Sequence, residues 1–223
     1  MRNLIVASAL ALAAAAPSIA SAEGVSVSAG ATVASEYVST SGAKATNGLA
    51  FQPWIEAEYM GGYVGYWGSN LSEELNDGDT WENDFYVGYR NSVAGFNYDI
   101  AYTWFYNNKS GRAGDEVALK VSYDINDQLS LGAKVAYDPA PQHATDFRVF
   151  ANYKYDDKLS FNALAGKQNH GGREFYVVGA TYALNDDYAV SVKYQNVGAA
   201  GNAEGSFAKD KVVVALDYTF SFK

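Results

Sequence analysis

The 223-residue chain contains no cysteine. Disulfides and thiolate metal clusters are therefore excluded, and stability must come from backbone pairing and packing. Positive charge is scarce as well. Lys and Arg number 16 against 25 Asp and Glu, a formal net charge of −9. A nucleic-acid partner is not expected, because phosphate binding needs a basic surface. Beyond Ala22 there is no apolar run long enough to cross a bilayer as a helix. If the mature chain sits in a membrane, it must do so as a closed barrel, because lipid does not tolerate unpaired backbone polar groups. Histidine is limited to His143 and His170.

What is present begins with a leader. Met1-Arg2-Asn3 is a short positive start, Leu4–Ala16 an apolar alanine-rich run, and Ala20-Ser21-Ala22 a small-residue cleavage pattern. Residues 1–22 read as a secretory signal peptide, leaving 23–223 as one domain. Losing Arg2, the only charged residue of that segment, takes the net charge from −9 to −10. Aromatic residues make up 15% of the chain, which excludes disorder.

The dominant pattern has period two. Val212, Val214, Leu216, Tyr218, Phe220 and Phe222 alternate with Val213, Ala215, Asp217, Thr219 and Ser221. Strict alternation marks a strand with one apolar and one polar face. Twelve such segments are expected, near 25–37, 49–60, 63–70, 81–90, 96–106, 115–124, 129–137, 147–155, 159–168, 174–184, 188–196 and 211–222. In the third segment the faces do not separate: Tyr63, Gly65 and Trp67 oppose Val64, Tyr66 and Gly68. Links after even-numbered segments are tight and rich in Gly, Asn and Asp, such as Gly61-Gly62 and Asp156–Lys158. Links after odd-numbered segments are mostly longer: 38–48, 71–80, 107–114, 138–146 and 197–210.

A soluble sandwich would alternate equally well. The even strand number, the sorted link lengths and the many charges on the polar face favour an all-β, closed, antiparallel, up-and-down transmembrane β-barrel. Both chain ends are then expected on the periplasmic side of an outer membrane. Tyr59, Tyr63, Tyr89, Tyr123, Tyr137, Tyr155, Tyr188 and Tyr194 fall near segment ends, where aromatic girdles form.

Several stretches carry a resemblance. They are Ser35-Glu36-Tyr37, Gly62-Tyr63-Val64-Gly65-Tyr66-Trp67-Gly68-Ser69-Asn70, Asp84-Phe85-Tyr86-Val87-Gly88-Tyr89 and Phe96-Asn97-Tyr98-Asp99-Ile100-Ala101-Tyr102. In order and spacing these resemble the TorF-type porin family, also called the Gcw_chp family, over the first half of the mature chain. Beyond residue 115 the likeness is a strand-and-turn pattern. The resemblance implies a bacterial outer-membrane β-barrel of porin type. After Tyr37 the family commonly has an aromatic and an Arg, whereas this chain has Val38-Ser39-Thr40-Ser41, so an early lumen or rim contact of the family is expected to be missing. Tyr218, Phe220 and Phe222 resemble the terminal signal read by the barrel-assembly machinery, although Lys223 follows them.

With the apolar face on lipid, the other face points inward. The expected lumen acids are Glu36, Glu56, Glu58, Glu82, Asp84, Asp99, Glu116 and Asp217, and the bases Lys120, Lys134, Arg148, Lys154 and Lys193. The acids gather on one wall and the bases on the opposite wall, with Arg90 the main exception. Such charges set up a transverse field that favours polar solutes. The expected function is passive diffusion of small hydrophilic solutes or ions through a narrow charged lumen, with lipid and the assembly machinery as partners. A closed structural or adhesive barrel is one alternative, since the same charges could neutralise each other in a filled interior. A rim hydrolase acting on lipid or peptide is another, with His143 or His170 beside an acid. No Gly-x-Ser-x-Gly elbow and no calcium-loop spacing occurs, and neither a cofactor, a metal nor an enzymatic activity is expected.

Overall fold

The computed structural model describes residues 24–39, 44–139, 145–169, 174–197 and 210–222. The expected signal peptide and both histidines lie outside these residues.

Twelve strands form one closed sheet: β1 Ser26–Ala34, β2 Ala50–Tyr59, β3 Gly62–Asn70, β4 Trp81–Val93, β5 Phe96–Asn107, β6 Gly111–Asp124, β7 Leu129–Tyr137, β8 Thr145–Lys154, β9 Leu159–Gln168, β10 Glu174–Ala183, β11 Tyr188–Val197 and β12 Lys211–Phe222. Each pairs antiparallel with its sequence neighbours, and β1 closes the barrel against β12. Closure leaves no unpaired sheet edge, the condition for placing strands in lipid. The start of β1 and the end of β12 lie at the same end of the barrel as the short turns, since Val27 pairs with both Phe222 and Ala57.

The short turns follow two designs. Met60-Gly61 and Ala94-Gly95 all have positive φ (52°, 86°, 50° and 83°), the two-residue turn whose twist matches a hairpin. The other three repeat one pattern: Ile125-Asn126-Asp127-Gln128-Leu129, Tyr155-Asp156-Asp157-Lys158-Leu159 and Leu184-Asn185-Asp186-Asp187-Tyr188. In each, the Asn126, Asp156 or Asn185 carboxyl or amide Oδ1 accepts hydrogen bonds from the backbone N–H groups two and three residues on. The N–H groups of Leu159 and Lys158 hold the Asp156 carboxyl below the usual range.

Three boundaries differ from expectation by three residues or more. β4, expected to end at 90, runs on to Val93, which leaves Ala94-Gly95 as the whole turn. The segment expected at 25–37 ends at Ala34, where Ser35 N–H donates to the Val214 carbonyl and the chain leaves the ladder. The long link expected at 107–114 is only the turn 108–110, because β5 and β6 keep pairing through a bulge at Phe105/Tyr106. Gly111 (φ 79°) supplies the positive φ next to that turn.

One face of the sheet is apolar and open to the surroundings. Val33, Ile55, Val64, Val87, Ile100, Leu119, Val149, Val178, Val192 and Val214 are all exposed there. In water such a continuous belt would be an aggregation liability; it fits a lipid-facing surface. Aromatic residues flank the belt. Tyr89, Tyr98, Phe96, Tyr123, Tyr188 and Tyr218 cluster towards the short-turn end, with ring contacts at Phe96–Tyr123 (4.6 Å) and Tyr188–Tyr218 (4.9 Å). Tyr176 and Tyr194 meet towards the other end. Tyr63, expected in a girdle, is a correction. It is buried, on the opposite face, with its ring beneath the Arg90 guanidinium.

Candidate functional site: the barrel interior

Register decides what faces inward. Strict pairing puts Glu56, Glu58, Glu82, Asp84, Asp99, Glu116, Lys120, Lys134, Arg148, Lys154, Lys193 and Asp217 on the face that holds the barrel's buried side chains. Glu36 lies beyond the end of β1, half-buried, with its carboxylate 2.7 Å from Lys211 Nζ. The Lys154 ammonium reaches back 2.8 Å to Asp157 at the short-turn end.

These residues are brought together more closely than two opposed walls would be. Arg90 bridges Glu56 and Glu58 on the acidic side, and its guanidinium lies 4.0 Å from the Tyr63 ring centre. The Tyr63 hydroxyl donates to Asp99 at 2.5 Å. Lys134 pairs with Glu116 at 2.7 Å, and Arg148 with Asp146 at 2.7 Å. Asp217 accepts from Thr32 Oγ1 (2.6 Å) and Ser191 Oγ (3.2 Å). Asp146 was read from sequence as part of a link. It sits inside β8, buried, and partners the base two residues on.

One register row crosses five strands. Arg90 pairs with Asp99, Asp99 with Lys120, Lys120 with Lys134 and Lys134 with Arg148. Three bases stand directly side by side in that row. Like charges in cross-strand positions repel. Neighbouring aromatics and acids offset the repulsion: Lys120 lies over Phe150 (5.3 Å) and Arg148 over Phe175 (5.2 Å).

The sequence reading missed a second interior device. Inward glycines stand opposite inward aromatics in the register: Gly30 with Trp54, Gly65 with Tyr86, Gly88 with Tyr63, Gly132 with Phe150 and Gly166 with Phe175. Each ring lies across its glycine, so a Cβ there would strike it. On β8–β10 the rings Phe150 and Phe175 join Leu164 and Val177 in a buried apolar cluster. Aromatic–glycine alternation on the inward face was the available sequence pattern.

At the end opposite the short turns the loops are tied into one cap. Val38 pairs with Ala45 in an isolated bridge, and Asn76 both donates to the Ala45 carbonyl and accepts from its N–H. Tyr37 donates to Glu82 at 3.0 Å, and its ring meets Trp67 edge-on at 5.6 Å. Asp79 joins 71–80 to 108–110: it accepts from Lys109 N–H, Ser110 N–H, Ser110 Oγ and Asn107 Nδ2, all at 2.7–2.9 Å. Burial opposes its charge, but these four donors prevail and hold its carboxyl down at about 2. Among the described residues no group of three or more His, Cys, Asp or Glu is arranged to hold a metal ion.

No curated protein is matched by sequence. Among solved structures, the KdgM porin is similar with a TM-score of 0.65 and 10% identity, over 86% of this chain and 99% of that one. The same figures hold for the KdgM porin in complex with disordered oligogalacturonate. The NanC porin is similar with a TM-score of 0.59 and 12% identity, over 87% of this chain and 99% of that one. At such identities the likeness concerns the fold alone. The sequence likeness itself runs well past residue 115. The model of Gcw_chp, described as a bacterial protein of unknown function, matches residues 18–220, and the chain belongs to that family.

Proposed function

We propose that this barrel is an outer-membrane channel through which small hydrophilic solutes and ions diffuse passively. The observation that carries the reading is the inward charged row Arg90–Asp99–Lys120–Lys134–Arg148. A sealed interior gains nothing from adjacent like charges, since replacing buried ions by packed apolar groups is often neutral or stabilising. A wetted lumen hydrates the partly exposed members of the row, Lys134 among them, and uses their field to steer solutes. Partial exposure of Glu56, Glu116 and Lys134 side chains (20%, 22% and 12%) supports water access. That proteins of this fold are named porins, one of them in complex with disordered oligogalacturonate, supports the solute class. The site has no assigned catalytic role in this reading.

Orientation follows from the loops. Short turns and both chain ends face the periplasm, and the loop cap faces outward. Residues 1–22 direct export, and Tyr218, Phe220 and Phe222 present the terminal strand to the assembly machinery.

Bilayer recording of refolded protein tests the function. Inward acids outnumber inward bases, so the pore leans towards cations. Neutralising Glu56, Glu58 and Asp84 to Gln or Asn shifts the reversal potential towards anions; neutralising Lys120, Lys134 and Lys154 shifts it the other way. Both shifts shrink as the Debye length falls from about 10 Å at 0.1 M salt to about 3 Å at 1 M. Protein that inserts and carries no current sinks the channel. The apolar cluster of Phe150, Leu164, Phe175 and Val177 then favours the closed structural barrel.

A further inference from the structure

Among the described residues of the acidic wall, Asp84 makes no ion pair. It lies inward near the capped end of β4, between its register partners Trp67 on β3 and Phe105 on β5. Its Oδ1 is sealed from solvent and has no hydrogen-bond partner. Glu82, two residues before it on the same face, accepts from the Tyr37 hydroxyl. Lys44 is the base whose field reaches both acids, yet it lies beyond ion-pair distance of either. The other charges acting on Asp84 are the acids Glu82 and Glu116, the latter already engaged by Lys134.

A sealed carboxylate oxygen without a partner carries a desolvation cost that nothing offsets. The residue as a whole is only half-buried and stands on the inward face. A counter-cation there would offset the cost. The surroundings say which kind. Trp67 and Phe105 are the cross-strand partners of Asp84 on the same face, and the Tyr37 ring packs edge-on against Trp67. Aromatic faces favour weakly hydrated organic cations over small, strongly hydrated metal ions. The described acids also offer no metal-ion arrangement.

We infer that Asp84, Trp67 and Phe105 form a subsite for an alkylammonium ion at the capped end of the lumen. This deepens the channel reading and rests on its wetted lumen, because the ion must reach Asp84 from the lumen side. The carboxylate supplies the charge, the rings supply the faces, and Glu82 adds to the local negative field.

The probe is tetramethylammonium chloride, titrated against refolded protein in detergent at constant ionic strength, with potassium chloride as the balance salt. Tryptophan emission is the readout, and heat-modified gel mobility confirms folding. The wild-type barrel gives a saturable change that potassium does not reproduce, and Trp67→Phe abolishes it. Asp84→Asn keeps Trp67 but weakens apparent affinity by about tenfold or more, as expected for losing a charge-assisted contact. Phe105→Leu, which leaves both acids in place, weakens it too and covers the case in which Asp84→Asn does not fold. An unchanged titration in folded Asp84→Asn or in Phe105→Leu overturns the subsite, as does an equal response to potassium. Conductance on the same preparation separates the two proposals. A saturable signal without current removes the channel and leaves the subsite; current with variants that titrate like wild type does the reverse.

Discussion

Val192 and Lys193 are neighbours on β11 with opposite surroundings, which makes them a direct probe of the two faces. Val192 is 45% exposed on the apolar face, between Ala180 of β10 and Val214 of β12. It stands four residues from Tyr188 and five from Val197, the ends of the strand. At a rise of about 3.3 Å per residue that is roughly 13–17 Å along the strand. A tilt of about 40° reduces this to roughly 10–13 Å along the barrel axis, half of an apolar band about 25 Å tall. Val192 therefore sits at the bilayer midplane. An Arg there costs about 2–4 kcal/mol, which is a folding equilibrium weakened by roughly thirtyfold to nearly a thousandfold. Lys193→Gln acts on the other face. Asp217, whose field reaches Lys193, keeps its hydrogen bonds from Thr32 and Ser191, so the loss stays well below that of Val192→Arg. Urea titration of both variants refolded into phospholipid vesicles, read by gel mobility and tryptophan emission, measures the difference. Equal losses, or a larger loss for Lys193→Gln, would refute the assignment of faces.

Gly166→Ala places a Cβ against the Phe175 ring and 2.8 Å from the Phe147 carbonyl, so it overpacks the wall by about 1–3 kcal/mol; the same vesicle titration reads it, and an unchanged midpoint contradicts the ring's placement. Asp79 carries a carboxyl held at about 2, so its contribution to the cap is fully present above the ordinary carboxylate range and is lost as pH falls through about 2. Asp79→Asn removes that dependence and raises amide hydrogen exchange at Lys109 and Ser110 at neutral pH, and unaltered exchange there disproves the latch. An epitope inserted at Gly201 is reachable on intact cells and one at Asp156 is not; the reverse pattern inverts the topology.

Much of the barrel was legible in the chain because a lipid-facing strand obeys one rule along its length. Apolar residues point out at every second position, as at Val212, Val214, Leu216, Tyr218 and Phe220, and each short turn is announced by Gly or Asx. Legibility failed where both faces carry the same residue class. On β3 the outward Val64 and Tyr66 oppose the inward Tyr63 and Trp67, so hydropathy alone cannot assign the sides. Tyr63 was consequently given to the girdle, although its ring serves as a platform for Arg90. The link at 107–114 failed for a different reason. Gly111, Gly114 and Ser110 look like loop composition, but a bulge lets β5 and β6 continue pairing through them. Asp146 was hidden because an acid beside a masking run of Pro, Gln and His reads as loop. Its two-residue spacing from the inward Arg148 is that of one strand face, so the signal was present and the loop-like composition before it outweighed it. Register rows such as Lys120–Lys134–Arg148 are three-dimensional facts, since they depend on the stagger between strands rather than on any one of them.

The glycines opposite aromatics bear on whether such a barrel can conduct at all. Twelve strands fall between barrels of about 8, whose interiors fill with side chains, and those of about 16–18, which leave an aqueous channel. At this size the outcome depends on where the large side chains lie. Trp54, Tyr63, Tyr86, Phe150 and Phe175 all point inward, and rings directed at the axis would obstruct the lumen. Each instead lies across the glycine of an adjacent strand, so its bulk occupies the wall. Removing the side chain at Gly30, Gly65, Gly88, Gly132 and Gly166 thus returns volume to the centre, and it lets Arg90, Lys120 and Arg148 extend over ring faces. The same arrangement that stiffens the sheet holds the charged row flat against the inner wall, with Arg90 and Arg148 buried over their rings and Lys134 partly exposed.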